Sequence, residues 1–428
     1  MRVFEKSMEF LARSERVIPL GSQTFSKSRT QYPFGVSPHF ITRASGSRVW
    51  DLDGNEYIDF VNSLASITLG YQDTDVTQAV KAQLESGVIF SLAHPLETEV
   101  AELLCEMVPC ADMVRFGKNG SDATSGAVRL ARAYTERDYV AVCGYHGWQD
   151  WYIGSTARNR GVPSVTRELT RTFKYNDLDS LRALLDARSA SYAAVILEPM
   201  NVMEPLPGFL EGVKQLAHEH GAVLIFDETI TGFRFAIGGA QALFGVTPDL
   251  ATFGKGLANG YPISAVVGRR EIMKLMEEVF FSFTFGGEAL SLAAAKATLL
   301  KLKTEPVIDT MRTRGIELID GTRRIIEMHD LSSIFSVSGH PTWSFLNIRD
   351  SHAHSALEIK TFLMQELHQR GLLSVGTHNI SYAHSKADIA SLIGAYADVL
   401  PTIGKLLNSG TLRAALRCKP LVPLFKIR

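Results

Sequence analysis

The chain has 428 residues, 46% of them hydrophobic and 21% charged, which is the balance of a large globular enzyme and excludes a disordered chain. Its 44 basic and 45 acidic residues leave a formal charge of −1, so no global field draws it to nucleic acid or anionic lipid. Four cysteines, Cys105, Cys110, Cys143 and Cys418, show neither zinc spacing nor a disulfide framework.

The opening run MRVFEKSMEFLARSER interleaves charged and apolar residues and lacks the apolar core of a secretory signal. No uninterrupted apolar run approaches the roughly 18 residues of a membrane span. The expected setting is therefore cytoplasmic and reducing, with no membrane and no nucleic-acid partner. A Ser/Thr/Gln-rich loop follows, then RVWDLDGNEYIDF, whose alternating apolar residues around Asp53-Gly54 predict a hairpin. From about 110 to 270 the pattern repeats strand, loop and helix. Strands are predicted at 113–116, 139–143, 193–198, 222–226, 250–253 and 263–267, with amphipathic runs such as SDATSGAVRLARAYT and GFLEGVKQLAHEHG between them. Strands this short and apolar, separated by helices, indicate a mostly parallel central sheet covered by helices on both faces. Beyond about 300 the alternation is less regular, as in a smaller α+β lobe. The last eighteen residues carry five basic side chains and no acidic one.

In such a sheet, ligands collect at the carboxyl ends of the strands, and the chemically interesting residues fall there. After 113–116 comes GKNGSDATSG, where Gly120 and Ser121 open a helix and offer backbone N–H groups and a hydroxyl to a phosphate. A simple helix cap by Ser121 or Asp122 explains the same residues. After 139–143 comes GYHGWQD. Tyr145 there can stack on a flat ring, or merely cover the core. Glu198 ends the next strand, either inside a site or as a loop anchor. Asp227 ends AVLIF, too near the core to stand unpaired. Lys255, boxed by Gly254 and Gly256, ends LATF. Opposite a pyridine nitrogen, Asp227 would keep that nitrogen protonated and make the ring an electron sink. Lysine, aspartate and a glycine-led helix start are together the parts that a pyridoxal phosphate (PLP) site needs.

Other readings of the glycines fail. GKG at 254–256 has Asp249 and Gly256 where a P-loop needs Gly and Ser or Thr, and the third glycine of a Rossmann fingerprint arrives one residue late, at Gly260. His218 and His220 lie two apart in a helical run, on different faces, and are not a metal pair.

In VWDLDGNEYIDF, NGSDATSGAVRLARAYT, GYHGW, VILEPM, FDETITGFRFAIGGAQALFGVTPDLATFGKGLANGYP and SFTFGGEALSLAA, taken in order, the chain resembles a class III PLP-dependent aminotransferase of fold type I. It is most similar to the glutamate-1-semialdehyde aminomutase subgroup, from about residue 15 to 405. The resemblance implies a 1–55 N-terminal segment packing on the small lobe, a 56–303 PLP-binding domain and a 304–428 small domain with a basic tail. It implies that Lys255 forms the internal Schiff base and shuttles the proton, and that Asp227 faces the pyridine nitrogen. Gly120 and Ser121 match the phosphate turn, Tyr145 the stacking aromatic, and Thr229 the position against the other ring face; Glu198 ends its strand beside them. Thr284 matches the threonine that reaches the phosphate of a neighbouring subunit, which implies a homodimer with shared sites.

Three departures bear on the reaction. The family's S-G-T-E-A turn is Asn119-Gly120-Ser121-Asp122-Ala123 here. The stretch from Ile153 to Tyr175 is several residues shorter than the aminomutases' closing loop. Where those enzymes carry a carboxylate, this chain has Gly376, Thr377 and His378. These features predict transfer of an amino group from a small-molecule donor to a separate aldehyde or ketone acceptor. Intramolecular migration of the aminomutase type, and racemase or epimerase activity, are the alternatives that use the same parts.

Overall fold

The computed structural model describes residues 2–351 and 353–422. They form two compact units. One draws on the described residues of Met1–Asp73 and Asp309–Lys426, the other on Thr74–Ile308.

In the first unit, strands β1 (Ile41–Ser45), β2 (Arg48–Asp51) and β3 (Glu56–Asp59) form an antiparallel meander. The hairpin expected at Asp53-Gly54 is present. Gly54 takes φ +86, and Asp51 accepts hydrogen bonds from the Asn55 amide (2.7 Å) and the Tyr57 hydroxyl (2.9 Å).

The second unit is built on a seven-stranded sheet. Its strands are β4 (Met113–Gly117), β5 (Tyr139–Cys143), β6 (Thr170–Thr172), β7 (Tyr192–Leu197), β8 (Val223–Asp227), β9 (Leu250–Phe253) and β10 (Ser264–Gly268), in the spatial order β4-β10-β9-β8-β7-β5-β6. All neighbours pair in parallel except β10, which runs antiparallel to both β4 and β9. The expected fold is thus present: a mostly parallel sheet with a second, smaller lobe. Strands β7 and β8 are buried at every position, because helices cover both faces. The helix Gly120–Thr135 buries Ala123, Ala127, Val128, Leu130 and Ala131 against one face, and Phe209–Glu219 buries Phe209, Leu210, Val213 and Leu216 against the other. The i, i+3/i+4 and i+7 spacing of both sets is what the sequence pattern predicts. Each fully buried Leu, Val or Phe contributes about 1.5–3 kcal/mol.

Back in the first unit, β11 (Phe335–His340), β12 (Trp343–Ile348) and β14 (Thr377–Asn379) make a three-stranded sheet. β13 (Leu372–Leu373) instead pairs in parallel with β3. That pairing, with the Tyr382 amide donating to the Thr68 carbonyl at 2.8 Å, ties residues 56–73 to this unit. The first segment of this unit accordingly runs to Asp73. Between β3 and residue 66, Asn62, Ser63, Leu64 and Ala65 all take left-handed φ values of 44, 48, 60 and 67. Such a conformation costs about 1–2 kcal/mol per residue. Asp59 offsets it by accepting from the Val61 and Asn62 amides, while Asn62 donates to the Asn379 carbonyl and Asn379 to that of Val61.

The helix Lys386–Asn408 is long and apolar enough for a membrane span by composition. It buries Ile389, Leu392, Tyr396, Val399, Leu400, Ile403 and Leu407 within its unit, the stripe of a core helix. The described part of the basic tail is docked. Arg413 pairs with Glu358 (2.5 Å), Arg417 with Glu366 (3.2 Å), and the Leu421 amide donates to Thr361 (2.9 Å); the tail's residues 423–428 lie outside the described residues.

Asp388 links two parts of this unit. Its carboxylate closes a capping box with Ser385 at the start of Lys386–Asn408, accepts from the Ser47 hydroxyl (2.9 Å) and pairs with Arg48 (2.8 Å). Burial pushes its pKa up, but the Ser385 amide, the Ser47 hydroxyl and Arg48 together hold it below the ordinary carboxylate value. A depressed folded-state pKa stabilises above the unfolded value of about 3.9 and is lost as pH falls through the folded one. Asp388→Asn should therefore lose about 1 kcal/mol at pH 7. Urea unfolding should show that deficit shrinking below about pH 4; a deficit that persists undiminished in acid would mean the charge is not what stabilises.

Candidate active site

Five loops at the carboxyl ends of β4, β5, β7, β8 and β9 converge in the second unit, and glycines set how closely they approach. A Cβ on Gly120 would lie 2.9 Å from Thr229 Cγ2, so the helix start and the loop after β8 touch only because Gly120 has no side chain. Gly147, at φ +104, lies across Ser121, where a Cβ would fall 2.2 Å from Oγ. Gly144, at φ +106, leaves room for Glu198 Oε2, which a Cβ would meet at 2.5 Å. A Cβ at any of the three would push the loops apart, and at Gly144 and Gly147 it would also strain the backbone.

Asp227 is the buried centre. Its Oδ1 accepts from the Thr229 amide (3.1 Å), the Thr229 hydroxyl (2.5 Å) and the Thr252 hydroxyl (3.1 Å). Its Oδ2 faces His146 Nδ1 at 2.9 Å. Burial alone would push this carboxyl up, but His146 and then Thr229 hold it below the ordinary range. His146 Nε2 faces the Cys143 carbonyl at 3.2 Å, and a carbonyl only accepts. The ring therefore spans Asp227 on one side and the Cys143 carbonyl on the other. The ring is fixed by Trp151, stacked at 6.3 Å, and Tyr152, edge-on at 5.2 Å.

Glu198, one residue past β7, accepts from the Tyr145 amide and from Asn201, both at 2.9 Å. Burial, then the charge of Asp227, pushes its pKa up. Two neighbouring carboxyls are thereby driven apart, Asp227 toward the anion and Glu198 toward the acid. Tyr145 itself is exposed and meets Tyr152 edge-on at 5.6 Å.

Lys255 follows β9 in a left-handed conformation, φ +38, at the head of a short 3₁₀ turn. Backbone strain of this kind collects at functional positions. Burial pushes the ammonium pKa down, Glu198 and Asp227 oppose it, and the buried Arg234 adds to the depression. A lysine so placed releases its proton more readily than an exposed one, and the neutral amine is the form that can act as nucleophile or base.

The chain thus brings together Gly120, Ser121, Tyr145, Glu198, Asp227, Thr229 and Lys255. Among the described residues, no hydrogen bond ties Thr284 to them; it is exposed between Phe283 and Phe285. Two residues with work in the site had no role in the sequence reading. His146 was visible only as a neighbour of Tyr145. Glu228, beside Asp227, is fully buried and accepts from Thr231 (2.5 Å), Ala240 (2.6 Å) and Gln241 (2.8 Å), which folds the loop after β8 back on itself. Its signal was an acid directly after a strand-ending acid, too much charge at a core edge to be idle.

These residues suit an anionic, aromatic, carbonyl-bearing cofactor. The helix Gly120–Thr135 begins with amides that have no partner inside the helix, and beside it the buried Ser264 hydroxyl has no hydrogen-bond partner. Among the described residues there is no cluster of three or more His, Cys, Asp or Glu that could hold a metal.

Residues 32–391 match the family model "Aminotransferase class-III". The chain is 35% identical over 412 residues to the 3-aminobutyryl-CoA aminotransferase of Cloacimonas acidaminovorans (strain Evry), covering 94% of this chain and 98% of that protein. It is 38% identical over 428 residues to the glutamate-1-semialdehyde 2,1-aminomutase of Alkaliphilus oremlandii (strain OhILAs), covering 94% and 100%. Its fold superposes on the FumI protein of Sphingopyxis sp. MTA144, solved in its PLP internal aldimine form, with a TM-score of 0.87 at 28% identity, covering 97% of this chain and 99% of that one. A strand-end lysine and aspartate, a glycine-led helix start and these likenesses lead to one conclusion: the chain belongs to the class III aminotransferase family and is a PLP-dependent enzyme of that type.

Proposed function

We propose that Lys255 holds the cofactor and moves the proton in an amino-group shift, with Asp227 as the partner of the cofactor's ring nitrogen. The observation that carries this is the juxtaposition at the ends of the paired strands β8 and β9 of a carboxylate held ionised and a lysine pushed toward its neutral form. When bound, PLP supplies an electron sink. Gly120 and Ser121 offer amides and a hydroxyl to its phosphate, Tyr145 and Thr229 flank its ring, and Glu198 fixes the Tyr145 loop. His146 keeps the charge on Asp227. Lys255, as the free amine, takes a proton from one carbon and returns it to another.

Borohydride reduction of the holoenzyme and peptide mapping should put the pyridoxyl label on the Lys255 peptide. Lys255→Ala should abolish turnover yet still bind PLP through its phosphate. Label on another lysine would remove the basis of this reading.

A homodimer completes the proposal. The segments 88–92 and 280–285 expose Ile89, Phe90, Leu92, Phe280, Phe283 and Phe285, and the Ala289 amide ties their bases together through the Val88 carbonyl (2.8 Å). This apolar surface surrounds Thr284 and suits a second copy of the chain. Light scattering should give about twice the 47.1 kDa chain mass; an active monomer at low concentration would exclude a shared site.

Amino shifts take two forms. The length of Ile153–Tyr175 and the missing acid near Thr377 predict transfer between two molecules, and the aminobutyryl-CoA aminotransferase likeness agrees. The likeness to several glutamate-1-semialdehyde aminomutases supports migration within one substrate better. His378, beside Thr377, does not decide the matter: it is bonded to Ser344 (2.9 Å) and Tyr396 (2.8 Å) in the core. Nitrogen-15 in a candidate amino donor separates the two forms. Label retained in one substrate, with no second substrate needed, establishes migration; label passed to an acceptor with ping-pong kinetics establishes transfer.

A further inference from the structure

We propose that a polar cavity on the Thr74–Ile308 unit binds the phosphate-bearing tail of the amino substrate; this rests on the amino-shift reading above and adds the class of substrate. The cavity holds about 410 Å³ and is lined by Arg167 and Arg171, with Asn159, Ser164, Thr172 and one acid, Glu168, among its other walls. It is rich in donors and poor in acceptors. Among the described residues, neither guanidinium has a hydrogen bond or ion pair, not even with Glu168 between them in sequence. The connection 154–172 carries four arginines against that one acid, in a chain whose total charge is −1. Two arginines on the walls of one open space that also has Ser and Thr side chains can supply guanidinium forks matched to the oxygens of phosphate. The volume exceeds the needs of a single carboxylate and suits a diphosphate or a phosphorylated nucleoside.

The cavity is mechanically joined to the active site. Its far wall is β6, paired with β5 at Ala141 and Arg171. Its near wall, Gly154 and Ser155, continues the turn Asp150–Ile153, in which the Tyr152 hydroxyl donates to the Gly144 carbonyl (2.8 Å) and the Tyr152 ring meets Tyr145. The same strand and turn therefore position both the Tyr145–His146 loop and the arginines. A substrate with its amine at Lys255 would need a flexible linker to place its tail among these arginines. Two kinds of molecule carry such a tail: a coenzyme A thioester, with its phosphorylated adenosine diphosphate, and a sugar joined to a nucleoside diphosphate.

The test uses full-length holoenzyme, so that the cofactor occupies its own phosphate site. Calorimetry would compare 3′-phosphoadenosine 5′-diphosphate, uridine diphosphate, inorganic pyrophosphate and unphosphorylated adenosine. Phosphate-bearing probes should bind and adenosine should not. R167Q/R171Q should weaken binding about 10-fold or more. Binding to the unmodified protein should also weaken as salt rises, a readout independent of whether the variant folds. Preference for the adenosine probe assigns a coenzyme A tail, preference for the uridine probe a nucleotide sugar, and equal binding of pyrophosphate a phosphate contact without nucleoside recognition. The proposal is overturned if no phosphate-bearing probe binds, or if the folded double variant binds them as tightly as the unmodified protein. Either failure leaves the Lys255 label in place, whereas loss of that label removes the amino-shift reading while the calorimetry stands.

Discussion

The active site depends on keeping one carboxylate charged where burial opposes charge. Asp227 ends a strand whose every residue is buried, and an ion there would shed its charge unless it were paired. Three protein donors serve one oxygen, and His146 serves the other. Because β7 lies between β5 and β8 in the sheet, the loop carrying His146 must pass over the end of β7 to reach Asp227. That crossing explains why Gly144 lacks a side chain, since Glu198 occupies the space a Cβ would need. The Tyr145 amide then bonds Glu198, so one crossing positions the aromatic ring, the histidine and the second carboxyl together.

Loops this closely packed leave little room for adjustment. Gly120 against Thr229 and Gly147 against Ser121 are contacts of backbone with side chain, and widening either by a methyl group would move the helix start away from Asp227. Positioning within a few tenths of an ångström is what separates a preorganised site from a loose collection of the right residues. The glycines are therefore as necessary to the chemistry as the charged groups, although they touch no proton.

Much of this was legible in the sequence, for a physical reason. Buried parallel strands must be short and apolar, so a charged residue at the end of one is conspicuous, and Asp227 and Lys255 stood out on that ground alone. The family resemblance supplied roles for Gly120, Ser121, Tyr145 and Thr229. What stayed hidden depends on contacts distant in sequence. His146 looks like any loop histidine until Asp227, 81 residues on, is placed beside it. β6 is Thr-Arg-Thr at a sheet edge and has no apolar run to announce it. The reversed direction of β10 leaves the sequence pattern unchanged, because an antiparallel strand buried on both faces reads like a parallel one. The left-handed stretch Asn62–Ala65 contains no glycine, and the local sequence gives no sign of the Asn379 clasp that holds it. Residues 56–73 join the smaller unit through β13, a pairing across more than 300 residues that no local pattern could register.

The same charges bear on the neighbouring lysine. Lys255 and Glu198 follow β9 and β7, and Asp227 ends β8 between them in the sheet, so a lysine and two acids gather at neighbouring strand ends. Were both acids ionised, they would hold Lys255 firmly as ammonium and make it a poor base. Asp227, held charged by His146 and Thr229, takes the negative charge, while burial first and the field of Asp227 second push Glu198 toward the neutral acid. Only part of the possible anionic field then bears on the lysine, and burial together with Arg234 carries its pKa downward. His146 thus bears on the surroundings of Lys255 through its bond to Asp227, without touching the lysine.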